Sequence, residues 1–307
     1  MTKKSADNST HKIEESGLYG LQSKRKLYEI LFTKKEDVDA ILSAGDANYK
    51  EKIVQKLVRD KIKYRQCQVP KKNGSLDKIQ ARIAKLLSSI ETKDYLFSCK
   101  KGKSYIDNAK HHLKNSNNLV VKLDIKNYFP SVTFAHIFRF FRKDLCCSKN
   151  ISHILTSLVT YKGYLPTGCK MSMHIAYFSH MRLFDRINEI ATKNECLMSL
   201  WVDDIVISGK KSKIVAENTK TLIKKHGLEY HDGKKFKTYS PKYRKEITGV
   251  IIKPNGELKL RNYSQKLIHD LKKKKISKSG LSIKDSIRLS GCLNEAKSID
   301  KKYSIKF

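Results

Sequence analysis

The chain has 307 residues, with 64 Lys and Arg against 30 Asp and Glu, for a formal net charge of +34. That length can bury a sizeable core, and 15 Tyr and 11 Phe argue against a disordered basic chain. No apolar run approaches the roughly eighteen residues of a membrane span, no apolar signal core opens the chain, and the seven Cys form no CxxC pair. These features point away from a membrane protein, a disulfide framework or a zinc ribbon. They point toward a cytoplasmic protein with a polyanionic partner, of which nucleic acid is the commonest.

Residues 1–20 are polar and aperiodic and read as a mobile arm. Helical spacing follows at Leu27, Ile30, Leu31, Val38, Ile41 and Leu42, with a break near Thr33. A second helix is expected from about Asp77 to Glu91, with Ile79, Ile83, Leu86, Leu87 and Ile90 on one face. Asn118 to Ile125 is a short β-branched run and predicts a buried strand. After Pro130 a helix turns Phe134, Ile137, Phe138 and Phe141 inward, and the chain turns again at Gly163–Gly168. One long helix is expected from Met171 to Thr192. Cys196–Val202 and Ile205–Ser208 predict a β-hairpin with Asp203-Asp204 at its tip, followed by a basic helix over Ser212–His226. A second hairpin pairs Ile247–Ile252 with Glu257–Leu260 around Pro254-Asn255-Gly256, and the last fifty residues are basic and helical.

Two adjacent carboxylates in a tight turn repel each other, and a divalent cation removes that repulsion. Asp203-Asp204 alone is equally readable as a solvated turn, because Asp is a normal turn residue. Asp124 closes another apolar strand, and beside the hairpin it would supply a third carboxylate. Three such groups on neighbouring strands of a strongly basic protein describe a two-metal phosphoryl-transfer site with the hard oxygen ligands that suit Mg²⁺.

Leu123-Asp-Ile-Lys-Asn-Tyr-Phe-Pro-Ser131, Leu165-Pro-Thr-Gly168 and Trp201-Val-Asp-Asp204 follow one another in an order that resembles motifs A, B and C of reverse transcriptases. Asn108-Ala-Lys-His-His112 resembles the NAxxH element of retron reverse transcriptases, and Ile247-Thr-Gly249 resembles their VTG element. The resemblance covers about residues 60–262. It departs at Trp201 (usually Tyr), Thr167 (usually Gln), Met173 (usually Pro) and Ile247 (usually Val), none of which is a metal ligand.

The resemblance implies an α+β right-hand polymerase fold, in which fingers and a small helical thumb flank a palm of antiparallel sheet with packed helices. The expected units are a mobile arm over 1–20 and N-terminal helices and fingers over 21–117. The palm then covers 118–252, with part of the fingers around 150–170, and a basic thumb covers 253–307. It implies two Mg²⁺ ions on Asp124, Asp203, Asp204 and the carbonyl of Ile125, with Lys235 as candidate proton donor to pyrophosphate or simply one more solvated charge of a Lys-rich chain. Lys63 and Arg65 would hold the triphosphate, though either could be a solvated charge. Phe129 would be the steric gate against a ribose 2′-hydroxyl, or an ordinary core aromatic. Gly168 would let the backbone approach nucleotide or template, or simply turn the chain. Asn108 and His112 would contact the retron RNA or order the local backbone; Ile247, Thr248 and Gly249 belong with them. Lys272, Lys273, Lys274 and Lys275 would follow the primer–template duplex, against the alternative of a solvated helix face, which their uniform positive sign weakens.

The implied function is retron reverse transcription: binding a structured non-coding RNA and building branched msDNA from a guanosine 2′-hydroxyl in an antiphage system. Implied partners are that RNA, its DNA product and an effector toxin. About fifty residues after the palm are too few for an RNase H domain, so a host RNase H is expected to remove template. The alternatives are another defence-associated or intron-like bacterial reverse transcriptase, and a non-catalytic RNA-binding scaffold.

Overall fold

The structure is a computed structural model that describes residues 10–58, 61–233, 236–276 and 280–303. Helices α1 (Lys24–Leu31) and α2 (Lys35–Ala44) are separated where Phe32 turns left-handed, at φ 54°, which places the break where the sequence predicts it. Strands β1 (Tyr49–Val58) and β2 (Lys61–Pro70) then form a long antiparallel hairpin that sequence periodicity does not predict. Helix α3 (Ser75–Ser88) buries Ile79, Ile83 and Leu87 on one side, as their spacing requires. Helix α4 (Tyr105–His111) starts with a capping box, in which Ser104 and Asp107 satisfy each other's backbone amides.

Strand β3 (Val120–Asp124) leads into two short helices, α5 (Tyr128–Ser131) and α6 (Phe134–Arg139), and then into α7 (Lys149–Val159), capped by Ser148. The long helix expected over 171–192 is two helices, α8 (Ser172–Ser179) and α9 (Met181–Lys193), parted at His180 with φ −123° and ψ 13°. Strands β4 (Leu197–Trp201) and β5 (Asp204–Ser208) form the predicted carboxylate hairpin, and α10 (Ser212–Lys225) follows. Strand β6 (Lys237–Tyr239) returns to the sheet, whose order is β4-β5-β3-β6 with every pairing antiparallel.

The strand expected over Ile247–Ile252 is two strands. Strands β7 (Lys245–Ile247) and β8 (Val250–Ile252) pair across Thr248 and Gly249, both at positive φ (45° and 93°), and β9 (Leu258–Leu260) completes a three-stranded sheet. A two-residue loop with both φ positive matches the right-handed twist of the strands it joins. Helices α11 (Asn262–Ile276) and α12 (Ile283–Ile299) follow, and a 3₁₀ turn (Lys301–Tyr303) ends the described chain.

Side chains alternate across a strand, so the four-stranded sheet has two faces with different neighbours. Val121, Leu123, Ile205 and Ile207 enter the larger core with α9 and α10. Val120 and Val206, on the opposite face, join a second core with Ile106 and Ala109 of α4, the three-stranded sheet and α11–α12. Asp124 and Asp204 share that second face, beyond the end of its core. Among the described residues no helix is long and apolar enough to cross a membrane.

Candidate active site

Antiparallel pairing sets Asp124, the last residue of β3, directly opposite Asp204, the first of β5. Asp203 lies in the two-residue turn between Trp201 and Asp204. That turn is held from two sides: Ile125 N–H donates to the Asp203 carbonyl at 2.9 Å, and Val202 N–H donates to Ser98 Oγ at 3.0 Å. Val202 has φ 59°, a left-handed conformation that a β-branched residue adopts only under constraint from its surroundings. The strand that the sequence offered as a third carboxylate carrier therefore does lie beside the hairpin.

The carboxylates are only partly exposed, with side chains 15% accessible at Asp124 and 19% at Asp204. Lys122 Nζ is 2.9 Å from Asp204 Oδ2, and His231 Nε2 is 3.4 Å from Asp124 Oδ1. Below them Tyr128 is buried and donates its hydroxyl to the Ala176 carbonyl; burial first, and the Asp203 charge second, hold its phenol well above the usual range. Among the described residues no three carboxylate, imidazole or thiol groups are already gathered as a metal cage. The donor set nevertheless fits a hard divalent cation in kind: clustered carboxylate oxygens, half-shielded from water, with no thiolate among them. Lys122 occupies the place of positive charge that such an ion would take over.

Several residues singled out in the sequence are brought near this centre. The Arg65 guanidinium lies 5.9 Å from the Phe129 ring centroid, so the two expected nucleotide contacts are neighbours, and exposed Lys63 shares a hairpin face with Arg65. Phe129 is half-buried against the larger core. Gly168 has φ 109°, and a Cβ there would stand 3.2 Å from both Cys67 Cβ and Val69 Cγ1. Its close approach is thus to β2, where the expectation was nucleotide or template. Gln68 fastens the same contact, donating its N–H to the Thr167 carbonyl (2.8 Å) and accepting from Thr167 N–H on Oε1 (3.1 Å).

The retron-like elements are placed differently from the RNA contact expected of them. Asn108, His112 and Ile247 are buried, so none presents a side chain to an RNA, and Thr248 and Gly249 form the half-buried β7–β8 turn. Ordering the local backbone is the one of the two expected roles that the contacts support. Thr248 Oγ1 donates to the Tyr105 carbonyl at 2.7 Å, and Asn108 Nδ2 approaches Thr248 Oγ1 at 3.5 Å. Lys273 and Lys275 on α11 are exposed, Lys274 pairs with Asp285 at 2.6 Å, and Lys272 is half-buried. Lys235 lies outside the described residues. Sequence reasoning missed Lys122, His231, Ser98 and Gln68. Only Lys122 carried a usable signal, two residues before Asp124 and hence on the same face.

The family described as reverse transcriptase (RNA-dependent DNA polymerase) matches residues 47–252, two thirds of the sequence, and the chain belongs to it. Its mixed helices and antiparallel sheets are the α+β right-hand polymerase fold, and polymerases of this family depend in general on divalent metal.

Among curated proteins, the chain is similar to the retron Se72 reverse transcriptase of Salmonella heidelberg, 30% identical over 66% of this chain and 52% of the relative. It is also similar to two Escherichia coli enzymes. The retron Ec86 reverse transcriptase is 25% identical over 55% of this chain and 53% of the relative, and the retron Ec73 enzyme is 26% identical over 67% and 70%. The chain spans about half the length of the first two of these relatives. Among solved structures, telomerase from Candida albicans, in complex with a fragment of telomeric RNA, covers 78% of this chain and 54% of its own, with 10% identity and a TM-score of 0.47.

Proposed function

We propose that the protein is a retron reverse transcriptase, which binds a cognate structured non-coding RNA and extends DNA from a guanosine 2′-hydroxyl within it. The observation that carries this reading is the cross-strand opposition of Asp124 and Asp204, with Asp203 in the adjoining turn. In this reading residues 21–117 act as fingers, 118–252 as palm and 253–307 as thumb.

Asp124, Asp203, Asp204 and the Ile125 carbonyl would hold two Mg²⁺ ions, which supply activation of the attacking hydroxyl and neutralise charge on the departing pyrophosphate. The chain's own groups do the positioning. Arg65, with Lys63 beside it, binds triphosphate oxygens; a guanidinium can grip two at once. Phe129 lies under the sugar and excludes a 2′-hydroxyl, which selects deoxynucleotides. Gly168 keeps the turn after α7 close to β2, so that the nucleotide-facing hairpin stays in place. Lys235 is the candidate proton donor to pyrophosphate. Lys272, Lys273, Lys274 and Lys275 follow the duplex backbone, giving strong, salt-sensitive affinity. Asn108, His112, Ile247, Thr248 and Gly249 order the backbone beneath the palm surface.

The branched RNA–DNA product remains bound, a host RNase H removes template, and an effector protein completes a cytoplasmic antiphage system. The test is dNTP incorporation on a primed RNA with and without Mg²⁺, by the wild type and by Asp203→Asn. Incorporation that needs Mg²⁺ and vanishes in the variant supports polymerase activity. A wild type that binds the RNA and incorporates nothing makes the chain a scaffold.

A further inference from the structure

Two positions on the carboxylate face of the sheet are serine where packing alone would favour an apolar residue: Ser199 on β4 and Ser208 on β5, both fully buried. A buried hydroxyl is costly unless it is hydrogen-bonded. Here both bond one ring: His112 Nδ1 lies 2.7 Å from Ser208 Oγ, and His112 Nε2 lies 2.8 Å from Ser199 Oγ. Asn115 Nδ2 donates to Ser208 Oγ at 3.1 Å and to the Ser208 carbonyl at 3.0 Å. With Asn115 on one acceptor position, the Ser208 hydroxyl points its hydrogen at Nδ1, and Nε2–H donates to Ser199. That tautomer is assigned from the network.

The geometry makes His112 a pin across two strands. Leu197 pairs with Ser208 and Ser199 with Val206, so the serines are diagonal neighbours on one face, one on each strand of the hairpin that carries Asp203 and Asp204. A one-residue slip would turn one serine to the opposite face and break the bridge. Helix α4, whose C-terminal cap is His112, also holds the hairpin near its turn. The Tyr105 ring meets Trp201 edge-on at 6.4 Å, and Trp201 is the residue paired with Asp204. Tyr105 in turn donates its hydroxyl to Glu295 on α12 and receives Thr248 at its carbonyl.

We propose that α4 is a strut that holds the carboxylate hairpin in register, with His112 as its positioning residue. The Asn108–His112 and Ile247–Gly249 elements act through this buried framework, without touching RNA. Trp201 is then the hairpin's contact with the strut, which gives the departure from Tyr a packing role.

The test compares wild type with His112→Ala, His112→Gln, Ser208→Ala and the His112→Ala/Ser208→Ala double variant. Its first arm is amide hydrogen exchange and needs no activity. In H112A, amides over 197–208 should exchange about tenfold faster or more, while those of α7 and α9 keep wild-type rates. The kinetic arm rests on the polymerase reading above. On saturating primed RNA, kcat for dNTP addition should fall roughly 10- to 100-fold, with KM for dNTP and Kd for RNA held within about twofold. Adding S208A to H112A should change little further, because both remove one bridge. Gln, which can both donate and accept, should restore part of kcat.

A raised RNA Kd with unchanged hairpin exchange and kcat would make His112 an RNA contact and overturn the proposal. Faster exchange spread evenly over the whole chain would overturn it too, since that marks general loss of core. If H112A does not fold, S208A and Ser199→Ala carry the same comparison. A wild type without polymerase activity defeats only the polymerase reading, and the exchange arm still decides.

Discussion

Asp124 and Asp204 face each other across β3 and β5, and Lys122, two residues before Asp124 on the same face, places its ammonium 2.9 Å from Asp204 Oδ2. The cation offsets a repulsion that the strand register itself creates. A divalent ion at the carboxylates would do the same work with greater charge, so Lys122 would compete with such an ion for one position.

Removing that competitor should therefore tighten metal binding. Lys122→Met is expected to lower the Mg²⁺ concentration for half-maximal activity several-fold. It should also lower stability without metal by about 1 kcal/mol, the order set by a partly buried pair. Metal titration of activity and urea unfolding in EDTA check the two halves separately. Unchanged metal dependence would mean that Lys122 does not compete with the ion.

Asp203→Asn is nearly isosteric and keeps the backbone carbonyl that accepts from Ile125 N–H. DNA synthesis should fall about a hundred- to a thousandfold, as for loss of a group acting on developing charge. Thermal unfolding and RNA affinity should stay close to wild type. Activity within tenfold of wild type would place the metal site elsewhere.

Gly168→Ala meets two obstacles at once: a positive φ and a Cβ 3.2 Å from Cys67 and Val69 side-chain atoms. A loss of about 1–3 kcal/mol in urea unfolding is expected, with β2 shifting away from the Thr167 turn. A neutral substitution would show that the contact between hairpin and turn is loose.

Stability should fall on acidification. Burial first, and then neighbouring His111, push His112 down to about 3; burial first, and then His136, push His180 to about 3. Their stabilisation is therefore full above the unfolded histidine value of about 6.5, and it is lost as pH falls from there toward 3 because the unfolded chain takes up the protons first. Between pH 7 and pH 5 each should cost about 2 kcal/mol, measured as a falling urea midpoint. His112→Gln should remove its share of that pH dependence.

What the sequence made legible follows from how each element is buried. The carboxylate hairpin shows because two apolar runs flank Asp203-Asp204, and both strands bury one side in a large core. The β1–β2 hairpin leaves no such pattern: Ile53 and Val54 are consecutive and exposed, and Ile62 and Tyr64 on β2 are exposed too, so residues 50–55 and 62–66 show no buried apolar side. The break at His180 is hidden because α8 is buried over most of its surface, and its apolar residues run on into α9 without a change of spacing. The β7–β8 turn is hidden for a different reason: Ile247-Thr-Gly-Val-Ile-Ile252 is rich in β-branched residues and reads as one strand. Asn108 and His112 stood out by resemblance alone. Their partners, Thr248, Ser199 and Ser208, lie between 87 and 140 residues away in sequence, beyond the reach of local patterning.

The most direct measurement is of the nucleic acid that co-purifies with the protein expressed from its native locus, treated with RNase, DNase and a 2′,5′-debranching activity. A short DNA released from RNA only by debranching is the expected result. RNA without DNA, or linear DNA with no branch, would contradict the retron reading.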